Sequence, residues 1–333
     1  MASTSPLEVP VVDFANWRQA DPEERLRIAK DITTACQKLG FVHIINHAIP
    51  PEVLNEALSW SKGFFDLPAE EKLKAPQADN PSILRGYSSQ VINDKHDRGL
   101  PNSLEEVTDF KERYDMGSDE DKDQPNVWIP EQTLPRFRPF MNKFYWECFG
   151  IAGDILRAIA LGLGLEDQEH LIKHHGGNNN RLELLHYPPA SAETLRIPKQ
   201  TDWGTMTMRY QGDYSGLEIE DIDSPGTFIP VPPVKNAIML NIGDVLQRWS
   251  NDQLKSTPYR VTLAPRSDRY AILYLLTPDP EVVIECLPGC GGPDNPPKYH
   301  PITQSQYYRV RSKMRRPSKA EVGGGGITNY APY

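Results

Sequence analysis

Two short stretches of the sequence each differ by one residue from a pattern that binds a catalytic metal. KQTDWGTMT, residues 199–207, has Gln200 two positions before Asp202, and STPYRV, residues 256–261, contains Tyr259. In both stretches a histidine would complete the pattern. An imidazole is a good ligand for a transition metal and an amide oxygen is a weak one. A phenol must first lose a proton with a pKa of about 10. The residue types therefore predict that Gln200, Asp202 and Tyr259 hold no metal.

Short strands are predicted to position these residues. From Arg181 onward, alternating or β-branched runs such as TMTMRYQ, AIMLNIG and RYAILYLLT are separated by turn sequences. This pattern predicts an antiparallel sandwich or barrel. Upstream, helical periodicity predicts helices over residues 22–40, 51–65 and 137–165. Residues 41–46 read as a strand, and residues 66–132 are predicted to be loops with short elements.

Several motifs along almost the whole chain resemble one enzyme family. VPVVDF (9–14), LGFVHIINHAIP (39–50), YPP (187–189), TDWGTMT (201–207), NIGDVLQRWSND (241–252) and DRYAI (268–272) are similar to segments of the isopenicillin-N-synthase-like Fe(II)/2-oxoglutarate-dependent dioxygenases. The resemblance implies an all-β core with helices, a double-stranded β-helix (jelly roll) decorated by N-terminal and central α-helices. One compact unit is expected, with an N-terminal helical and loop region (1–130), central helices (131–177), a jelly-roll core (178–285) and a C-terminal loop, helix and tail (286–333).

The same resemblance implies which residues have changed. The family binds Fe(II) with two histidines and one carboxylate, and Gln200 and Tyr259 stand at the histidine positions while Asp202 keeps the carboxylate. Of the residues that bind 2-oxoglutarate in the family, Arg269 and Tyr187 are retained. Leu185 replaces an asparagine and Ala271 replaces a serine. We therefore expect no cofactor, with iron and 2-oxoglutarate both lost.

The altered site is predicted to hold a polar small molecule. Asp202, Tyr259, Gln200 and Arg209 are the candidate catalytic residues, because they combine an acceptor or base with hydrogen-bond donors. The candidate substrate-binding residues are Tyr187, Arg269, Thr207 and Lys199. Strand alternation places Thr205, Thr207 and Arg209 on one face and Met206, Met208 and Tyr210 on the other. Two alternatives stay open: Arg209 pairs with Glu218 or Glu220, or Gln200, Asp202 and Tyr259 only hydrogen-bond one another.

The histidines are predicted to be bystanders. His47 belongs to a motif that the family shares, so a structural role is expected. His174 and His175 follow a helix and are expected to face solvent. His186 should point away from the interior if Tyr187 points into it.

Three functions are compatible with these observations. The first is a metal-independent cyclase, pericyclase or isomerase that acts on a natural-product intermediate through hydrogen-bond and acid–base catalysis. The second is a non-catalytic relative that stabilises a protein partner or carries a ligand. The third is an Fe(II)/2-oxoglutarate oxygenase with an unusual metal site.

Composition limits the partners. The chain has 333 residues and a formal net charge of −9, which argues against a nucleic-acid partner. No apolar run reaches membrane-spanning length, and the N-terminus has no signal pattern, so a cytoplasmic protein with a small-molecule substrate is expected. The four scattered cysteines are not spaced like a zinc site.

Overall fold

The N-terminal part of the chain begins with a short strand and a capped helix. The computed structural model describes residues 8–78, 83–93, 108–189, 194–213, 215–263 and 268–315. Strand β1 spans Val11–Asp13 and helix α1 spans Pro22–Lys38. The Asp21 side chain accepts a hydrogen bond from the backbone N–H of Glu24 at 2.9 Å, which satisfies a donor at the helix start. Gly40, with φ of 69°, ends the helical region because glycine tolerates this backbone conformation.

Five further helices accompany the β-structure. They are α2 (Pro51–Phe65), α3 (Ala69–Lys72), α4 (Phe137–Gly162), α5 (Asp244–Trp249) and α6 (Gln304–Arg315). Helix α4 packs against α1 and α2. The helices predicted over residues 22–40, 51–65 and 137–165 are confirmed to within a few residues at their ends. None of the helices in the described ranges combines the length and apolar character needed to cross a bilayer.

Most strands belong to two sheets. The large sheet contains β1 with β2 (Phe41–Ile45), β3 (Gly86–Asn93), β4 (Thr108–Met116), β5 (Arg181–Tyr187), β7 (Met206–Tyr210), β10 (Ile238–Ile242) and β12 (Arg269–Leu276). The second sheet contains β6 (Thr194–Gln200), β8 (Leu217–Glu220), β9 (Phe228–Pro230) and β11 (Tyr259–Leu263). Their spatial orders are β1-β2-β10-β7-β12-β5-β4-β3 and β6-β11-β8-β9. A small third sheet pairs β13 (Val283–Ile284) with β14 (Ile302–Thr303).

The two main sheets enclose an inner core, as in the predicted jelly roll. Leu185 and Tyr187 of β5 share one buried cluster with Leu217 of β8 and Tyr259 of β11. The opposite face of the large sheet packs on the helices and forms a second buried cluster with them. This cluster contains Met206, Met208 and Tyr210. The predicted alternation along β7 is therefore confirmed, and Thr207 and Arg209 lie on the inner side.

Strands β3 and β4 were not predicted. They lie within residues 66–132, where the sequence predicts loops with short elements, yet they pair over eight residues and extend the large sheet beyond β5. Their sequences, GYSSQVIN and TDFKERYDM, are polar. Long-range pairing supplies the hydrogen bonds of such strands, and a local hydrophobic pattern does not reveal it.

A buried polar cluster fixes β5 against the N-terminal region. The Glu112 carboxylate accepts hydrogen bonds from Lys72 at 2.5 Å and from the Tyr87 hydroxyl at 2.5 Å, and it contacts Nδ1 of His186 at 2.7 Å. Burial disfavours its charge, but these donors outweigh burial and lower the pKa of Glu112 to about 2. His186 thus points away from the inner core, and the next residue, Tyr187, points into it.

Candidate functional site

Asp202 lies between β6 and β7, and three side chains hold its carboxylate. Oδ2 accepts hydrogen bonds from the Thr207 hydroxyl at 2.6 Å and from the Asn241 amide at 2.9 Å. Oδ1 accepts a hydrogen bond from the Tyr259 hydroxyl at 2.9 Å. The strands explain this arrangement, because Thr207 and Asn241 are register partners in the β7–β10 pair. The carboxylate is therefore fixed from two sides.

Gln200 extends this network through Tyr259. The two residues are direct partners across β6 and β11, and Nε2 of Gln200 donates to the Tyr259 hydroxyl at 2.8 Å. Burial, together with the nearby Asp202 charge, raises the pKa of Tyr259 well above its usual value. The phenol therefore stays protonated at neutral pH. The mutual hydrogen bonds of Gln200, Tyr259 and Asp202, one of the alternatives indicated by the sequence, are present.

Arg209 is a buried arginine with an unusual environment. Its side chain is 1% exposed, and its guanidinium carbon lies 5.3 Å from the centre of the Tyr259 ring. Among the described residues, none of its three nitrogen atoms has a hydrogen-bond partner of good geometry, although a polar contact with Tyr259 contributes to its raised pKa. Burial opposes its charge, but Tyr259, Tyr187 and Asp202 outweigh burial and raise the pKa of Arg209. The guanidinium therefore stays charged.

The expected alternative partners of Arg209 are engaged elsewhere. Glu218 pairs with Arg260, and Glu220 accepts a hydrogen bond from Lys199 at 2.6 Å. The interpretation that Arg209 pairs with Glu218 or Glu220 is therefore wrong. The contact with Glu220 also separates Lys199 from the other candidate site residues, because the Lys199 side chain is 54% exposed and faces Glu220. The structure does not bring Lys199 to the other candidate residues.

Arg269 is the second buried arginine of the interior. It is the first residue of β12 and the register partner of Tyr187 on β5. Its guanidinium carbon lies 5.3 Å from the centre of the Tyr187 ring. Nη2 donates to Oε1 of Gln211 at 2.9 Å, whereas Nε and Nη1 have no hydrogen-bond partner among the described residues. Burial and the charge of Arg209 lower the pKa of Arg269 to about 10.

Sequence reasoning missed three residues. Asn241 donates to Asp202, and the sequence signal was a lone amide within the apolar run AIMLNIG. Gln211 follows Thr207 and Arg209 at the same alternation, which could have revealed it. His175 was expected to face solvent, which is wrong. It is buried, its ring nitrogens contact the Thr205 hydroxyl at 2.8 Å and the Leu171 carbonyl at 2.9 Å, and burial lowers its pKa to about 4.

Comparisons with known proteins agree with this fold. The family model "2OG-Fe(II) oxygenase superfamily" matches residues 177–278, and "non-haem dioxygenase in morphine synthesis N-terminal" matches residues 9–133. Proline hydroxylase buaE of Petromyces alliaceus is 35% identical over 319 residues, covering 92% of this chain and 98% of that protein. The 2-oxoglutarate-Fe(II) type oxidoreductase ppzD of Metarhizium rileyi is 36% identical over 322 residues, with 92% and 91% covered.

A solved structure supports the same assignment. A full-length Neurospora crassa protein, crystallised in complex with alpha-KG, has a TM-score of 0.82 and 32% identity, with 91% of this chain and 95% of that chain covered. The relatives are enzymes, and the double-stranded β-helix predicted from the sequence is confirmed. The chain belongs to the 2OG-Fe(II) oxygenase superfamily.

These comparisons correct the cofactor prediction. The sequence predicts no cofactor, with Fe(II) and 2-oxoglutarate both lost. The relative ppzD is a 2-oxoglutarate-Fe(II) type oxidoreductase, and the Neurospora crassa protein was crystallised with alpha-KG. The prediction is therefore wrong, because the relatives point to iron and 2-oxoglutarate as cofactors.

The side chains around Asp202 do not match the ligand set of iron in such enzymes. That set is two histidines and one carboxylate on one face. Within the described ranges, no group of three His, Cys, Asp or Glu residues could hold a metal ion. Tyr259 is protonated, and both oxygens of Asp202 already accept hydrogen bonds. These residues supply one carboxylate in place of three ligands.

Arg269, in contrast, fits the carboxylate of 2-oxoglutarate. A guanidinium presents its N–H groups as a fork that matches a carboxylate. In Arg269, Nε and Nη1 are buried without partners among the described residues, and one donor is held by Gln211. A buried donor without a partner is costly, so a ligand that supplies acceptors is the simplest explanation for it.

Proposed function

We propose that the protein is an enzyme of secondary metabolism that binds 2-oxoglutarate on Arg269 and acts on a small organic substrate beside Asp202 and Tyr259. The observation that carries this proposal is the buried guanidinium of Arg269, with two donor nitrogens free among the described residues. The similarity to ppzD and to the alpha-KG complex of the Neurospora crassa protein supports the choice of ligand. When bound, 2-oxoglutarate, a 2-oxo acid, would serve as the co-substrate.

The residues of this chain have separate tasks in this function. Arg269 would bind a carboxylate through its fork, and burial would strengthen that bond because water does not compete. Tyr187 would cover one side of the same guanidinium, since its ring lies against it. Gln200 would offer the second N–H of its amide to the substrate, and Asp202 would orient the Tyr259 hydroxyl, whose proton it accepts.

Calorimetric titration with 2-oxoglutarate tests the co-substrate site. The wild-type protein should bind it, and Arg269→Met should bind it at least about 100-fold more weakly, because two charge-assisted hydrogen bonds are lost. Arg260→Met is the matched control, since Arg260 pairs with Glu218 in the other sheet. Unchanged affinity in Arg269→Met, or no binding of 2-oxoglutarate at millimolar concentration, would overturn the proposal.

A second candidate function is a non-redox cyclisation, isomerisation or pericyclic reaction at the same place. The hydrogen-bonded chain from Gln200 through Tyr259 to Asp202 favours it. The Tyr259 hydroxyl could turn its proton from Asp202 to a carbonyl group of the substrate, and the Asp202 carboxylate could then accept a proton from the substrate. The protein would be incubated with 2-oxoglutarate and a metabolite extract of the organism that encodes it. A product oxidised with consumption of 2-oxoglutarate and molecular oxygen supports the first function, and an isomer of unchanged mass that disappears with Asp202→Asn supports the second.

A further inference from the structure

One part of the interior between the sheets balances its own charges. Arg113 and Arg181 lie on β4 and β5, and they pair with Asp115 and Glu183 at distances between 2.7 and 3.7 Å. All four side chains are at most 19% exposed. Two positive and two negative charges therefore neutralise one another. Glu183 and Arg209 are both register partners of Leu273 on β12. Glu183 forms its ion pairs within this cluster, and the more distant charge of Arg209 also contributes to lowering its pKa.

The part around Asp202 does not balance its charges. Arg209 and Arg269 each carry a positive charge, and Asp202 carries the negative charge that lies close to Arg209. Asp202 is bound by Tyr259 and two further donors and has no hydrogen bond with either arginine. Two guanidiniums with unpartnered nitrogens thus share a region with two carboxylates, Asp202 and Glu183, and neither carboxylate forms an ion pair or hydrogen bond with them among the described residues. An uncompensated buried charge is costly, so the arrangement calls for an anionic ligand.

The two arginines belong to neighbouring strands of the large sheet, and both side chains are buried. Gln211, which accepts a hydrogen bond from Arg269, comes two residues after Arg209, so the chain segment that carries Arg209 also contacts Arg269. Ala271 follows Arg269 on the same face of β12 and adds only a methyl group between them. Each charge affects the other, since the charge of Arg209 contributes to the lowered pKa of Arg269.

We propose that Arg209 binds the second carboxylate of a short dicarboxylate whose first carboxylate is bound by Arg269. This inference rests on the proposed function, which places 2-oxoglutarate on Arg269, and it assigns the other end of the ligand to a residue of this chain. The ligand class is a dicarboxylic acid of the length of glutarate or 2-oxoglutarate. Each anionic end would meet one buried guanidinium that has unpartnered donors, and the carbon chain of the ligand would lie over Ala271.

Calorimetric titration of a diacid and its matched monoacid, in buffer containing a chelator, tests this assignment. The ligands are glutarate and monomethyl glutarate, which differ by one charge. The wild-type protein should prefer glutarate by about 10–100-fold, the effect of one charged hydrogen-bonded contact. Arg209→Met should bind both ligands with similar affinity and keep the wild-type affinity for the monoester. Arg209→Lys, which keeps the charge, should recover part of the preference.

The outcomes separate this inference from the proposed function. A preference for glutarate that persists in Arg209→Met overturns the role of Arg209 and leaves carboxylate binding at Arg269 intact. An equal affinity of the wild-type protein for both ligands also overturns it. Failure of the wild-type protein to bind either ligand, or no effect of Arg269→Met on the monoester, overturns the proposed co-substrate site itself. Circular dichroism and the melting temperature of each variant check that the fold is retained.

Discussion

Replacing Arg209 by methionine should make the ligand-free protein more stable. The guanidinium is fully buried, and none of its nitrogen atoms has a hydrogen-bond partner among the described residues. Its register partners on the two neighbouring strands are Met239 and Leu273, so a methionine of similar length would have apolar neighbours. Arg209 thus lowers stability in the absence of a ligand, as binding groups often do.

The size of the gain follows from two opposing terms. Replacing buried ionic groups by well-packed apolar residues stabilises proteins by about 1–4 kcal/mol. The contact of Arg209 with the Tyr259 ring, at 5.3 Å, offsets part of this, by about 1 kcal/mol. A net gain of up to about 3 kcal/mol remains. With an unfolding entropy of about 2.1 cal/mol/K per residue over 333 residues, the melting temperature should rise by up to about 4 °C.

Differential scanning calorimetry of ligand-free wild-type and variant protein measures this shift. The control is Arg260→Met, because Arg260 is paired with Glu218 and lies 4.1 Å from the Phe228 ring, so its loss should not raise the melting temperature. Adding 2-oxoglutarate should stabilise the wild-type protein more than Arg209→Met. A lower melting temperature for ligand-free Arg209→Met would refute the reasoning, since it would mean that the native chain already compensates the charge.

Three further predictions concern buried polar groups and can be measured by urea unfolding. Tyr259→Phe should lower the free energy of unfolding by about 1–3 kcal/mol, because Asp202 loses a buried donor; an unchanged value would mean that water replaces the hydroxyl. Burial lowers the pKa of His175 to about 4, below its usual 6.5, so its neutral form stabilises the fold above pH 6.5 and this contribution is lost as the pH falls. The free energy of unfolding should therefore drop by about 2 kcal/mol from this residue between pH 7 and pH 5, and the drop should be smaller in His175→Gln. Lys72→Met should cost about 3–5 kcal/mol, since the buried Glu112 carboxylate loses its ammonium partner; an added Glu112→Gln change should recover part of this loss.

Much of the site could be predicted from the sequence because it depends on local spacing. Strand alternation placed Thr207 and Arg209 on the inner face, and it placed Met208 on the helix side. The two altered motifs indicated that Gln200 and Tyr259 would lie near Asp202, and the structure joins them by hydrogen bonds. Such patterns carry over because the side-chain period of a strand is fixed by its backbone.

The remaining features depend on contacts between distant segments. The burial of His175 follows from its contact with Thr205, 30 residues away. Strands β3 and β4 follow from pairing with β5, which their polar sequences do not signal. The lack of a partner for Arg209 could not be read from the sequence, because it required knowing that Glu218 binds Arg260 and that Glu220 binds Lys199.

The most direct test of the two-arginine site is a crystal structure of the protein grown with 2-oxoglutarate. We expect one carboxylate within about 3.2 Å of Nε or Nη1 of Arg269, and the other within the same distance of the Arg209 guanidinium. Tyr259 should remain hydrogen-bonded to Asp202. Two results would contradict the two-arginine site. In one, acidic side chains of the protein itself form hydrogen bonds with both guanidiniums; in the other, bound 2-oxoglutarate contacts neither arginine.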